Sequence, residues 1–315
     1  MKILFSTYQL SLRGTEIAVF NYADHNEKIL GNESYIIARD PEIYPYSHPL
    51  AIKKFQDRFP NRVYFYKDWK EVEDLIKREN ISLLYMIKSG ENDGLWSNNC
   101  KTVIHSVFQN YQPHGQVYSY VSEWLGRIFN SPFVPHMIDL PNVDGDLKEE
   151  LNIPKNSLIF GRYGGSETFN IDFTHQVIND MIKKRDDIYF LFMYTDKFCP
   201  DHKQIIHLDG NPDLEYKVKF IQTCDAMIHS RSQGESFGLS CSEFSVKNKP
   251  VITFNGGRDQ AHLEMLGDKC IKYNNYQDLY NIFNAFIPQV NKDWNAFRNY
   301  DPQTVMNKFK SVFID

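Results

Sequence analysis

An α/β chain of two successive doubly wound domains is the fold class predicted here, and three observations carry it. Short apolar runs alternate with amphipathic stretches almost from end to end. The alternation pauses once, near the middle, at a proline-rich stretch. The length of 315 residues suits two domains of about 150 residues each, with a core for both.

In the first half, KILFS (2–6), SYIIA (34–38), RVYFY (62–66), SLLYMI (82–87) and KTVIHSV (101–107) are apolar runs bounded by polar or turn residues, which is the pattern of buried strands. Between them, TEIAVFNYADHNEKIL (15–30) and DWKEVEDLIKREN (68–80) space apolar residues three and four apart and read as helices. Strand and helix in alternation imply a parallel sheet covered on both faces. SPFVPHMIDLPNVDGDLKEELNIPKN (131–156) holds Pro132, Pro135, Pro141 and Pro154 and is the linker candidate.

The alternation restarts with SLIFGRY (157–163), DFTHQVINDMIKKR (172–185), IYFLFMY (188–194), YKVKFIQTC (216–224), AMIHS (226–230), FGLSCSEFSVKN (237–248), PVITF (250–254) and CIKY (270–273). DPQTVMNKFKSVF (301–313) closes the chain as a helix, with Asp301 at the cap and Pro302 in the first turn. The expected domains are 1–140 and 141–297, with residues 298–315 a terminal helix. In open sheets of this kind ligands bind beyond the carboxyl ends of the strands, so a cleft between the two domains is the expected site.

Composition narrows the function. Hydrophobic residues at 42%, aromatics at 15% and charged residues at 24% exclude the disordered class, which is poor in aromatics. A formal net charge of −5 argues against a nucleic-acid partner, which would call for a basic face. The bases of residues 53–78 are interleaved with acids and read as a solvated helix face; weak docking to an anionic membrane surface stays open. No apolar run approaches the roughly 20 residues of a membrane span, and MKILFST enters a strand directly, so a cytoplasmic protein is expected. Cys100, Cys199, Cys224, Cys241 and Cys270 are odd in number and scattered, as reduced thiols are. Cys199 with His202 has no second pair nearby, so no metal site is expected.

Three loops could carry chemistry. After the first strand, Gly14 precedes a helix that Thr15 could cap, leaving backbone N–H groups to face an anion. At FGRYGGSETF, Arg162 ends a strand beside Gly164 and Gly165, a permanent charge next to closely approachable backbone that suits a diphosphate. At GESFGLSCSE (234–243), a helix should begin near Phe237 or Gly238, with Glu235 in the loop before it and Glu243 inside it. Their separation, roughly 9 Å along the axis at about 1.5 Å per residue, exceeds the roughly 5 Å of a retaining glycosidase pair. It suits an elongated ligand with a phosphate at the helix N-terminus and a hydroxyl-bearing group near each carboxylate.

This last stretch resembles the E-x7-E motif of retaining GT-B glycosyltransferases of the family-4 type, with Ser232, Glu235, Phe237, Gly238, Leu239 and Glu243 in the frame S-x-x-E-x-F-G-L-x-x-x-E. The order of Gly14, a strand-end histidine, VSEWL (121–125), Arg162 and KPVITFNGG (249–257) agrees. The resemblance implies the GT-B fold, two Rossmann-like domains facing across a cleft, with acceptor bound by the first domain and nucleotide sugar by the second. The C-terminal helix would cross back to the first domain. It implies that Glu243 accepts from the ribose, that Glu235 sits by the transferred sugar, and that Phe237, Gly238 and Leu239 offer backbone contacts. Arg162 would hold the diphosphate, Gly14 would close over it, and His105 would lie near the reacting sugar, with His114 the competing candidate.

The implied activity is transfer of a sugar, with retention, from a nucleotide-diphosphate sugar to a hydroxyl of a glycan, lipid-linked or other acceptor, without metal, cofactor or covalent intermediate. Thr168 and Phe169 stand where the family has a lysine, so Arg162, backbone N–H groups, Arg231 or Arg13 must carry more of the phosphate charge. A nucleotide-sugar epimerase of the same layout, a glycosidase and a non-catalytic nucleotide-sugar-binding module are the rivals.

Overall fold

The computed structural model describes residues 1–315, which divide into two compact units: Met1–Asp139 with Asn299–Asp315, and Leu140–Arg298. In the first unit, strands and helices run β1 (Lys2–Ser6), α1 (Gly14–Lys28), β2 (Glu33–Arg39), α2 (Pro49–Arg58), β3 (Val63–Tyr66), α3 (Trp69–Glu79), β4 (Leu83–Lys88), β5 (Lys101–Ser106), β6 (Val117–Tyr120) and α4 (Glu123–Ile128). The six strands form one parallel sheet in the order β3-β2-β1-β4-β5-β6. Val72, Leu75 and Ile76 of α3 pack on Leu4, Tyr35, Leu84 and Met86 of the sheet, the three-and-four spacing that marked this segment as a helix.

In the second unit the order is β7 (Leu158–Tyr163), α5 (Asp172–Lys184), β8 (Ile188–Met193), β9 (Ile205–Leu208), α6 (Leu214–Thr223), β10 (Ala226–His229), β11 (Gly234–Glu235), α7 (Leu239–Val246), β12 (Val251–Phe254), β13 (Asp259–Gln260), α8 (Ala261–Leu266), β14 (Cys270–Tyr273) and α9 (Tyr276–Ala285). Its main sheet, again parallel, is ordered β14-β12-β10-β7-β8-β9, and β11 pairs with β13 apart from it. Both units are Rossmann-like. Phe160, Phe190 and Phe283 sit at the centre of the second core, with Phe160 and Phe283 ring centroids 4.5 Å apart.

The last helix, α10 (Pro302–Phe309), runs on as a π-turn over Lys310–Ile314 and belongs to the first unit. Phe309 packs 5.4 Å from both Tyr22 and Tyr85, and Phe313 packs 5.3 Å from His105. Asp301 caps the helix by accepting from the Thr304 N–H at 3.0 Å, as its position before Pro302 predicts. No helix is long and apolar enough to cross a membrane.

Each sheet reverses its strand order once. In the first the chain winds outward from β1 on one side and β4 on the other; in the second from β7 and β10. The carboxyl ends of those pairs are where such sheets open a crevice for ligands.

Candidate functional site

In the second unit, β7 ends on Arg162 and Tyr163, and β10 ends on His229. Arg162 is 4% exposed. Its guanidinium donates to Thr195 Oγ1, to the Gly165 carbonyl at 2.8 Å and to Thr168 Oγ1 at 2.5 Å. All three acceptors are neutral, so the fork is aimed and its charge is left without a hydrogen-bonded counter-ion. Burial pulls its pKa to about 10, against the countering charge of Glu235, and it stays cationic at neutral pH. Thr168 serves to orient Arg162.

Glu235 is positioned by backbone that only glycine allows. Gly234 has φ of +78°, and a Cβ there would lie 2.0 Å from the Asp259 carbonyl oxygen; this close approach is the β11–β13 pairing itself. The Glu235 carboxylate then meets Arg231 Nη1 at 2.8 Å and His229 Nε2 at 3.3 Å. His229 Nδ1 lies 2.9 Å from Thr253 Oγ1, which lies 3.2 Å from His262 Nε2. Burial alone would raise the Glu235 carboxyl; the His229 hydrogen bond and the Arg231 charge outweigh it and hold it at about 2. Burial and the neighbouring His229 hold His262 down at about 3. The site therefore carries a fixed carboxylate backed by a cation and by imidazole.

Helix α7 starts at Leu239, one to two residues later than the sequence predicts, because Gly238 takes the left-handed conformation (φ 88°, ψ 64°) at its N-cap. A Cβ at Gly238 would sit 3.1 Å from the His262 Cβ and 3.3 Å from the Glu235 Cβ. Phe237 is 2% exposed and packs 6.2 Å from Phe297, so only its backbone can face a ligand. Leu239 is half-buried in the first turn.

Glu243 is not a free helix carboxylate. It is 6% exposed and accepts from Lys217 Nζ at 3.1 Å and from the Tyr163 hydroxyl. Lys217 comes from α6 and is itself 5% exposed. The two glutamates of the motif are thus held by different partners, Glu235 by groups of its own loop and β10, Glu243 by α6 and β7.

Two expectations for the first unit change. Gly14 begins α1 instead of preceding it, Arg13 holds the N-cap position, and Thr15 does not cap. The loop before α1 is pinned by Glu16, which accepts from Thr7 Oγ1 at 3.3 Å and Ser11 Oγ at 2.6 Å. His105, expected near the reacting sugar, has 0% exposure, with Nδ1 at 2.6 Å from the Tyr85 hydroxyl and Nε2 at 2.9 Å from the Val134 carbonyl. Both ring nitrogens are occupied and aromatic rings of Tyr22, Tyr85 and Phe313 enclose it, so His105 lies in the core of the first unit. His114 is 8% exposed, with Nδ1 at 2.7 Å from the Gln112 carbonyl and Nε2 unpartnered.

Thr253, His262, Lys217 and Tyr163 escape the sequence reading, whereas His229 reads from sequence as a strand-end histidine suited to packing or loop hydrogen bonding, and it bonds Glu235 of the loop. Motif spacing has no term for the partners of Glu243, which lie 26 and 80 residues away; for Thr253 the one available signal was its place beside His229 on adjacent strands.

No family model matches the chain, and no curated protein matches it. Solved structures do. A glycosyltransferase from Rickettsia africae superposes with a TM-score of 0.72 at 14% identity, covering 99% of this chain and 97% of that one. Anabaena Alr3699/HepE in complex with UDP and glucose gives 0.71 at 13% identity, covering 99% and 98%. A candidate UDP-N-acetylglucosamine 2-epimerase from Listeria monocytogenes gives 0.61 at 11% identity, covering 99% and 96%. The fold is the one shared by GT-B glycosyltransferases.

Proposed function

We propose that the protein is a retaining glycosyltransferase that moves a sugar from a nucleotide-diphosphate sugar to a hydroxyl of a glycan or glycolipid acceptor. The second unit takes the donor and the first takes the acceptor. The observation that carries this reading is the carboxylate of Glu235, kept ionised by Arg231 and His229 in the loop that feeds the N-terminus of α7, within the electrostatic reach of the buried Arg162. The complex of Alr3699/HepE with UDP-glucose supports a uridine diphosphate donor.

In the transition state the bond from the anomeric carbon to the leaving phosphate oxygen breaks, and positive charge develops on the sugar while negative charge develops on the diphosphate. Glu235 faces the first charge. Arg162 and the backbone N–H groups at the start of α7 face the second. The Glu235 carboxylate, tied to Arg231 and His229, acts in this reading by steadying charge, without a covalent intermediate. The acceptor oxygen bonds to the anomeric carbon on the face the phosphate leaves, and its proton passes to the departing phosphate oxygen. Because Arg162 and the helix start supply the neutralising charge, the reaction proceeds without a divalent metal.

The test is incubation of the purified protein with a panel of nucleotide sugars, with and without acceptors and with and without EDTA, following nucleotide release and the anomeric configuration of the product. Release above a Glu235→Gln control, with retention, is expected. Inverted product overturns the retaining mechanism, and conversion of the donor to an epimer without acceptor identifies an epimerase instead.

A further inference from the structure

The first unit has its own crevice at the carboxyl ends of its strands, and the residues there are cationic and phenolic. Tyr66 ends β3, Arg39 ends β2 opposite it, Tyr8 follows β1, and Lys88 ends β4. The Arg39 N–H donates to the Tyr8 carbonyl at 3.2 Å, so these termini form one row along the sheet edge. The sheet reverses between β1 and β4, inside this row.

The two cations of the row differ in how they are paired. Lys88 is 3% exposed and donates to Asp93 Oδ1; the Tyr8 hydroxyl donates to the other oxygen of the same carboxylate at 2.6 Å. Arg39 is half-buried, 4.7 Å from the Tyr8 ring and 5.2 Å from the Tyr44 ring, and its neighbours in the row are phenols. The nearby carboxylates of Asp40 and Glu42 are engaged by Lys67. Arg39 is thus the cation of the row with no carboxylate in hydrogen-bonding reach, and the carboxylate that answers Lys88, Asp93, stands on a loop exposed at 91–94. A half-buried guanidinium whose planar fork no carboxylate occupies is open to an incoming anion. His114, close enough to feel the charges of both Lys88 and Asp93, adds a second unanswered group: its Nε2 is buried without a partner, a lone pair suited to a ligand hydroxyl.

We propose that Arg39 and Lys88, with Tyr8 and His114, form an oxyanion-receiving subsite in the first unit, so that the molecule bound there carries a phosphate or carboxylate group as well as hydroxyls. Arg39 offers the planar fork that matches either anion. Asp93 is the resident counter-ion that competes with the ligand. Naming that ligand as the acceptor of sugar transfer rests on the transferase reading; the existence of the subsite does not.

The experiment uses the full chain carrying Arg162→Gln, which removes the cation of the second unit's site that no carboxylate holds by a hydrogen bond, and titrates it calorimetrically with inorganic phosphate, with glucuronate and with glucose. Binding of at least one anion and not of glucose is expected, and the anion that binds fixes the class. Adding Arg39→Gln should weaken that binding about tenfold, and adding Asp93→Asn should tighten it. Thermal melts confirm that each variant is folded. If neither anion binds, or if Arg39→Gln leaves binding unchanged, the subsite does not exist. No donor or turnover is involved, so a failed transferase assay leaves this result standing.

Discussion

Lys217 Nζ donates to Glu243 Oε1 at 3.1 Å, and both side chains are almost completely buried. An ion pair in such a place does little for stability as a pair, yet removing one partner strands a charge. Lys217→Met is expected to cost about 3–5 kcal/mol in urea unfolding. The double variant Lys217→Met with Glu243→Gln should recover a good part of it, because the stranded carboxylate is gone. A loss in the double variant equal to the sum of the Lys217→Met and Glu243→Gln losses would mean that the pair has no energetic coupling.

Arg162 reaches three neutral acceptors at once, and that fork is what aims it. A lysine keeps the charge but has no planar fork to satisfy Thr195, Thr168 and Gly165 together. Arg162→Lys should therefore behave almost as badly as Arg162→Gln, with kcat down roughly a hundredfold or more in each. Near-normal kcat in the lysine variant would show that charge alone suffices.

The strands were legible wherever a run was fully buried and uninterrupted, as in LLYMIK of β4 and IYFLFM of β8, every residue of which is buried. Short, half-exposed strands were legible only in part: RVYFY and CIKY marked β3 and β14, while two others were missed. VYSY of β6 and IIHL of β9 bury only part of their length, and α2 buries just Ala51 and Phe55; no periodicity can emerge from two positions. Within the site, spacing along the chain located Glu235 and the start of α7, because these depend on local backbone. It could not tell what surrounds Glu243 or His105, since burial is set by packing across α6, β7 and α10, far away in sequence.

His105 illustrates the difference and can be tested. Its ring sits against Tyr22, Tyr85 and Phe313, and burial pulls its pKa to about 4, so it is neutral at neutral pH. His105→Ala opens a cavity and leaves the Tyr85 hydroxyl unpaired, at an expected cost of about 2–4 kcal/mol in chemical denaturation. The kcat of the folded fraction should stay near the wild-type value. A drop in kcat of a hundredfold without loss of stability would restore a catalytic role.

Glu16 sets a pH dependence whose sign follows from its burial. The carboxyl is 4% exposed, and burial outweighs the hydrogen bonds from Ser11 and Thr7, raising its pKa from 4.5 to about 7. Below 4.5 the group is protonated in both the folded and the unfolded chain and contributes no slope. Between 4.5 and about 7 the folded chain keeps a proton that the unfolded chain has lost, so the folded state binds more protons and stability falls as pH rises. Above about 7 the carboxyl is ionised in both states and the penalty is constant, at about 3 kcal/mol for a displacement of this size. Glu16→Gln cannot ionise and should lack this slope, while its amide can still meet the two hydroxyls of the loop. The comparison is the difference in urea unfolding free energy between wild type and Glu16→Gln at pH 5 and pH 8. The variant should gain on the wild type by roughly 2–3 kcal/mol on going to the higher pH. A difference that stays the same at both pH values would mean that Glu16 ionises normally in the folded chain, and that the loop before α1 is held by something other than a protonated carboxyl.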